Sequence, residues 1–308
     1  MACSTLILND ADEISAYLLH ETGMQAGYLQ LSRGAANLKY QAVDLGGVSI
    51  LWASTEADAL WRDKGPESGL HFGCALESER SVCVDGTDVE RGDAAIWMPG
   101  QEIEIVQLGR SLTLEVGVSP ALVNELGWSF SGSPLRRIPL AKLNRLVSVC
   151  RNATDQAMRF ATDIATIAHC REHVLEALEP ALEPWIEDAV DAIPPLRRAC
   201  ECIVHKADYI YSNSPDAAVT MDELADKLGV PRRTLFHKFK KTLGIGPRRY
   251  FELKRLHQLR RCLQDAEPRS DTITRIATDH GFSDPGRLAR LYYEHFGEMP
   301  SKTLRRIG

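Results

Sequence analysis

TMDELADKLGVPRRTLFHKFKKTLGIGPRRYFELKRLHQLRR, residues 220 to 261, is the stretch whose punctuation decides the fold of the C-terminal third. Thr220 followed by Glu223 forms a capping box, in which hydroxyl and carboxylate each satisfy an orphan amide of a helix's first turn. Leu224, Ala225 and Leu228 share one face, and Gly229 supplies the left-handed conformation that ends the helix. Pro231 is suited to start a second helix, because its missing N–H is not needed there. On that helix Leu235 and Phe239 face inward, leaving Arg232, Arg233, Phe236, His237 and Lys240 outward. The pattern predicts a helix-turn-helix.

Its outer face is one-sided in charge. Between Gly229 and Arg261 stand eleven Lys or Arg against one acid, Glu252. A solvated helix face normally mixes both signs, so this field points to a polyanion. The pattern then partly repeats: Ala277 and Gly281 keep the spacing of Ala225 and Gly229, 52 residues on. Ser283 can cap a second recognition helix, with Leu288, Tyr292 and Phe296 as its buried seam and Arg287 and Arg290 outside. A long helix from about Pro247 to Leu263 would join the units, which could meet successive major grooves about 34 Å apart.

At these residues the chain resembles the AraC-type (arabinose-regulator-like) bacterial transcriptional regulators. Ile276, Ala277, Gly281, Phe282, Phe296, Gly297, Pro300 and Ser301 match the family's C-terminal signature, and Leu235, Phe239, Gly244 and Pro247 match the first unit and its exit. The family commonly has arginine where His237 stands and phenylalanine where Tyr292 stands. The resemblance implies that Arg233, Phe236, His237, Arg287 and Arg290 face base edges of double-stranded DNA. Arg232, Lys240, Lys241, Arg248 and Lys302 are then expected on phosphates, which fix register without reading sequence. It further implies a homodimer, a small-molecule effector and RNA polymerase as partners.

The whole-chain charge of −6 hides an asymmetry: from Pro195 onward 22 basic residues face 14 acidic ones, net +8, and the residues before carry net −14. A basic reader is attached to an acidic half. No apolar run approaches the length of a membrane span, and MACSTLILNDADE lacks the pattern of a signal peptide, so a cytoplasmic protein is expected. Eight dispersed cysteines, none in a C-x-x-C pair, fit that expectation.

From Met24 to about Val118 short apolar or alternating runs are punctuated by Gly, Asp and Pro: Gly27 to Leu31, Val48 to Ala53, His71 to Leu76, Ser81 to Val84, Ala94 to Met98, Glu102 to Gln107 and Leu112 to Val118. They predict a small barrel or sandwich. Asp85 to Gly100, DGTDVERGDAAIWMPG, resembles cupin sequences, and the region resembles the sensing domain of one branch of AraC-type regulators. Where a metal cupin carries histidines, this chain has Gln101, Glu102 and Ile103, with only His71 upstream, so no metal or other cofactor is expected. Trp52, Trp61, His71, Phe72 and Trp97 are the candidate lining of an effector pocket.

After Pro134 the periodicity becomes helical, with one stripe at Leu140, Leu143, Leu146, Val147 and Cys150 and another at Ile164, Ile167, Val174, Leu178 and Leu182. Such helices pack within the chain or across a dimer axis, and the second could relay an effector's presence. Pro180 and Pro184 are expected to break the helical run and Pro194-Pro195 to mark a boundary. The expected α+β organisation is a cupin-like barrel over 1–135, a helical connector over 136–193 and an all-α domain with two helix-turn-helix units over 194–308. An effector-responsive regulator, not an enzyme, is the leading function. A dimeric repressor or architectural protein without an effector is the second. A zinc hydrolase through His169, Glu172 and His173 is the third, since these spell H-x-x-E-H; a solvated helix face explains the same residues.

Overall fold

In the computed structural model, which describes residues 3–8, 13–17, 25–65, 69–97, 100–130, 133–160, 162–186, 203–214, 219–266 and 272–305, two antiparallel sheets face one another and a set of helices follows. The first sheet runs β1 (Cys3–Leu8), β3 (Leu38–Asp44), β4 (Val48–Thr55), β11 (Ser111–Val118), β6 (Leu70–Ser78), β9 (Asp93–Trp97), β12 (Leu135–Arg137). The second runs β2 (Gln25–Gln30), β5 (Ala59–Lys64), β10 (Glu102–Leu108), β7 (Ser81–Val84), β8 (Thr87–Val89). Asp85 and Gly86, both at positive φ, form the two-residue turn that closes the β7–β8 hairpin, the conformation a primed turn requires.

Strand alternation divides each sheet into two faces. On β11, Leu114, Val116 and Val118 point away from the second sheet and Glu115 toward it. The outward face of the first sheet is covered by α2 (Leu140–Arg159) and α3 (Ile164–Ile186), which follow the short α1 (Pro120–Glu125). Leu143, Leu146, Cys150 and Ala153 on α2 and Ile167, Val174, Leu178 and Leu182 on α3 join that face in one core. Both helical stripes are therefore buried within the chain. Ile164, 74% exposed, and Leu140 at 49% lie outside this packing.

Trp52 and Phe72 belong to this outer core, which corrects their expected place in an effector pocket. Trp52 Nε1 donates to Thr154 Oγ1 at 3.0 Å, and Phe72 meets Trp185 edge to face, with ring centroids 6.3 Å apart. Their strand positions have the parity of Leu114, so they face helices. Pro180 and Pro184 lie inside α3 and do not end it, a second correction. Ala177, Leu178, Ala181, Leu182 and Trp185 are all at most 2% exposed, and burying side chains at about 1.5–3 kcal/mol for each large one offsets the lost hydrogen bonds. The boundary at Pro194-Pro195, with Cys200 and Cys202, falls outside the described residues.

The remaining helices are α4 (Ile203–Ser212), α5 (Met221–Lys227), α6 (Arg232–Leu243), α7 (Pro247–Asp265), α8 (Ile273–Asp279), α9 (Pro285–Phe296) and α10 (Pro300–Arg305). The first four pack on the outer face of the second sheet, where Leu31, Leu60, Val106 and Leu108 share one core with Val204, Ala207, Tyr211, Phe239, Leu243 and Tyr250; α8 to α10 build a separate core on the far half of α7 with Leu256, Leu259 and Leu263. Among the described residues no helix is long and apolar enough to cross a membrane.

Candidate nucleic-acid interface

The first helix-turn-helix is built as its residues require. Thr220 Oγ1 accepts from Glu223 N–H at 3.2 Å, and the Glu223 carboxylate accepts from Thr220 N–H at 2.9 Å. The Thr220 N–H and the Thr220 hydroxyl, which donates to the same carboxylate at 3.1 Å, hold the Glu223 carboxyl below its usual range. After α5, Gly229 takes φ +64° and Val230 N–H closes on Ala225 O at 3.1 Å. Pro231 is the cap residue, and α6 begins at Arg232. Leu235, Phe239 and Leu243 are fully buried, and Gly244 at φ +71° turns the chain into α7.

The second unit repeats the turn. Gly281 takes φ +74° and Phe282 N–H closes on Ala277 O at 2.8 Å, both at the 52-residue offset from Gly229, Val230 and Ala225. The cap of α9 is Asp284, which accepts from Arg287 N–H at 3.0 Å. This corrects the expectation of Ser283: Pro285 takes the first helical position and leaves Asp284 to cap it. Leu288 and Tyr292 are buried and Phe296 packs partly buried beside them.

The expected DNA residues fall into two electrostatic groups. Arg233, His237, Lys241 and Arg248 are exposed on the first unit and its exit. Arg232 pairs with Asp222 at 2.9 Å and lies 5.5 Å from the ring centroid of Phe236, which is half-buried. Lys240 donates to Gly244 O at 2.7 Å. On the second unit both arginines already hold carboxylates: Arg287 pairs with Glu252 at 2.9 Å, and Arg290 with Glu294 at 2.8 Å. Glu252 also receives Arg249, at 2.8 Å, and Lys302 stands 3.9 Å from Glu298.

Sequence reading missed the contacts between sheet and helices. Arg62, on β5, pairs with Glu104 at 3.0 Å and with Asp208 of α4, which also receives Lys254 of α7 at 2.6 Å. Burial pushes the Asp208 carboxyl up, but the Arg62 and Lys254 charges prevail and hold it below the usual carboxylate range. A second contact joins the loop after β2 to α9: Arg33 pairs with Glu294 at 3.1 Å, and Gly34 N–H donates to His295 O at 3.1 Å. Beneath it lie His257 and His295, with ring nitrogens 3.0 Å apart. Burial, and then neighbouring positive groups, push both imidazoles well below the usual histidine range. The alternation of Ala59 to Lys64 was the available signal, obscured because β5 is short. The relay expected of α3 does not fit this packing, since α3 covers the first sheet and the helix-turn-helix region covers the second.

Of the expected pocket residues, Trp61, His71 and Trp97 lie between the sheets. Trp61 packs against Tyr28 with centroids 4.5 Å apart and the rings tilted by 60°, and His71 meets Trp97 edge-on at 5.2 Å. His71 Nε2 lies 2.9 Å from Glu115 Oε2. His169, Glu172 and His173 are exposed on α3, where His173 Nδ1 approaches His169 O at 2.9 Å. Among the described residues no group of three His, Cys, Asp or Glu is placed to hold a metal ion.

A family model described as a helix-turn-helix domain matches residues 224–306. The XylDLEGF operon transcriptional activator of Pseudomonas putida is 38% identical over 87 residues, covering 28% of this chain and 27% of that protein. The HTH-type transcriptional activator RhaS of Pectobacterium carotovorum is 37% identical over 93 residues, covering 30% of this chain and 32% of the relative. The chain thus spans about a quarter to a third of the length of these curated relatives. Among solved structures, a probable AraC family transcriptional regulator from Rhodopseudomonas palustris is 33% identical, covering 34% of this chain and 94% of that one with a TM-score of 0.29. The AraC-like transcriptional activator CuxR is 12% identical over 83% of this chain and 94% of its own, with a TM-score of 0.36. The helix-turn-helix match spans both turns and their helices, so residues 224–306 form a helix-turn-helix domain, and this C-terminal segment is similar in sequence to those of AraC-type transcriptional regulators.

Proposed function

We propose that the protein is a sequence-specific DNA-binding regulator whose two recognition helices, α6 and α9, enter adjacent major grooves. The observation that carries this is the pair of matching turns, each followed by a helix with an apolar seam inside and basic residues outside. Arg233 and His237 read base edges, with Phe236 against a thymine methyl, and Arg287 and Arg290 do so once released from their carboxylates. Arg232, Lys240, Lys241, Arg248 and Lys302 contact phosphate. The cupin-like pair of sheets over 1–135 senses a small molecule, and the protein works as a homodimer in the cytoplasm with RNA polymerase as a further partner. With the α2 and α3 stripes buried, a dimer seam would use outward residues such as Met158, Phe160 and Ile164.

Support for coupling between sensing and reading comes from β5. Leu60 and Arg62 face the helices, whereas Trp61 and Asp63 face the space between the sheets. A ligand that shifts this strand acts on both sides at once.

The test is site selection with the full-length protein, followed by titration of Arg233→Ala on selected and random duplexes at two salt concentrations. The variant should lose about 1–3 kcal/mol on the selected site and little on random DNA. Equal losses on both would refute base reading by Arg233. Lys241→Ala should instead weaken all sequences alike and flatten the salt dependence.

A further inference from the structure

β5 and β10 carry a row of charges where they pass beneath α4. A cavity of about 280 Å³ opens there, lined among the described residues by Arg62 to Lys64, Glu102 to Glu104 and His205. Strand register sets Arg62 opposite Glu104 and Lys64 opposite Glu102, and by alternation these four share the face turned toward the helices. The two pairs behave differently. Arg62 Nε donates to Glu104 Oε2 at 3.0 Å, and the same guanidinium is held by Asp208 and by Tyr250 Oη, so its charge is matched. Lys64 and Glu102 are exposed and enter no ion pair among the described residues, although directly opposed side chains start only about 5 Å apart. His205 Nδ1 is buried without a hydrogen-bond partner, 3.7 Å from Glu104 Oε2.

We propose that this cavity binds a small zwitterion, an amino acid, whose carboxylate meets Lys64 and whose ammonium meets Glu102. The proposal rests on the reading of the sheet domain as the sensing module and names the class of ligand it takes. A cation and an anion side by side on one wall recognise a ligand that carries both charges, whereas a ligand of one sign meets a like charge beside its partner. An exposed ion pair contributes only about 0–1 kcal/mol, so keeping Lys64 and Glu102 apart costs the free protein little. The unpartnered His205 nitrogen adds a third point of hydrogen bonding. The alkyl stems of Arg62 and Lys64 and the imidazole ring offer the ligand's side chain an apolar surface. At about 30 Å³ per water the cavity holds about nine water-sized groups, as many as leucine has heavy atoms.

The position of the cavity gives the ligand a route to the reading helices. Val204 and Ala207, the neighbours of His205 on α4, are fully buried in the core they share with Leu235 and Phe239 of α6 and Tyr250 of α7. A molecule held by β5 and β10 on one side therefore touches, through His205, the helix on which the first recognition helix packs. Its binding favours whichever placement of α4 brings the His205 ring to the ligand.

The test uses full-length protein and titration calorimetry with three probes of one carbon skeleton: L-leucine, isopentylammonium chloride, which lacks the carboxylate, and sodium 4-methylpentanoate, which lacks the ammonium. Leucine should bind about 10-fold tighter than either or better, since each missing charge removes one of the two anchoring contacts. Lys64→Glu and Glu102→Lys should each weaken leucine by about 10-fold, and the double variant, in which the two charges exchange places, should recover most of the loss. Both residues are exposed, and if a reversal still disturbs folding, the ranking of the three probes on the unaltered chain decides. A singly charged probe that binds as tightly as leucine overturns the zwitterion class while leaving sensing intact, and binding of none of the three overturns the site. A double variant no better than the single ones overturns the pairing of Lys64 with Glu102. Leucine binding that leaves occupancy of the selected duplex unchanged keeps the site and overturns the sensing reading.

Discussion

Lowering the pH from 7 to 5 should weaken the helix-turn-helix half through His257 and His295. Both are buried and face each other, so the folded chain keeps them neutral, whereas the unfolded chain protonates each near pH 6.5. A base whose folded pKa is depressed contributes stability above its unfolded pKa, and that stability is lost as pH falls below 6.5 toward the folded value. At pH 5.0, which is 1.5 units below 6.5, each imidazole costs about 2 kcal/mol, about 4 kcal/mol for the pair. That is a large part of a typical domain's 5–15 kcal/mol. Asp63 and Asp85 run the other way, since burial raises both carboxyls, Asp85 to about 6, and acid removes the penalty of their charge. They cancel when the chain is compared with the double variant His257→Gln, His295→Gln. The assay is urea unfolding followed by circular dichroism at 222 nm, because all five tryptophans precede residue 186 and their fluorescence reports the sheet half. The unaltered chain should lose about 4 kcal/mol more than the variant between the two pH values. Equal losses would refute neutral burial of the pair.

Thr220→Ala removes the cap hydroxyl that Glu223 N–H uses and should cost about 1 kcal/mol, visible as faster amide exchange in α5. Gly73→Ala would place a methyl 2.8 Å from Trp97 Cζ3, so the ring must move; thermal unfolding should show a loss of about 1–3 kcal/mol and the tryptophan emission should shift.

The C-terminal half was legible because its information is local. Thr220 with Glu223, Gly229 and Leu235 with Phe239 each specify a cap, a turn or a seam within one or two helical turns, and the observed bonds sit on those residues. Between the sheets the reading divided. Trp52 and Phe72 are as apolar as Trp61 and Trp97, and only strand parity, fixed by pairing with distant strands, tells which face each occupies. Pro180 and Pro184 misled because propensity was set against packing that the local sequence does not display. Arg62, Glu115 and Asp208 gained meaning from partners 42 to 188 positions away in the chain, from Glu104 to Tyr250 in the case of Arg62, and Asp63 from an Oδ1 left without one.

Glu252 has a consequence for how the protein searches DNA. By holding Arg287 it serves as a built-in rival to phosphate, and Glu294 does the same for Arg290. On an arbitrary duplex the second helix would gain little by exchanging one anion for another, so on the proposed reading the exposed Lys241 and Arg248 of the first unit would carry the loose grip of sliding. On that reading, only a base edge offering a paired acceptor, as guanine does, would repay the exchange, and residence time would lengthen at that site alone.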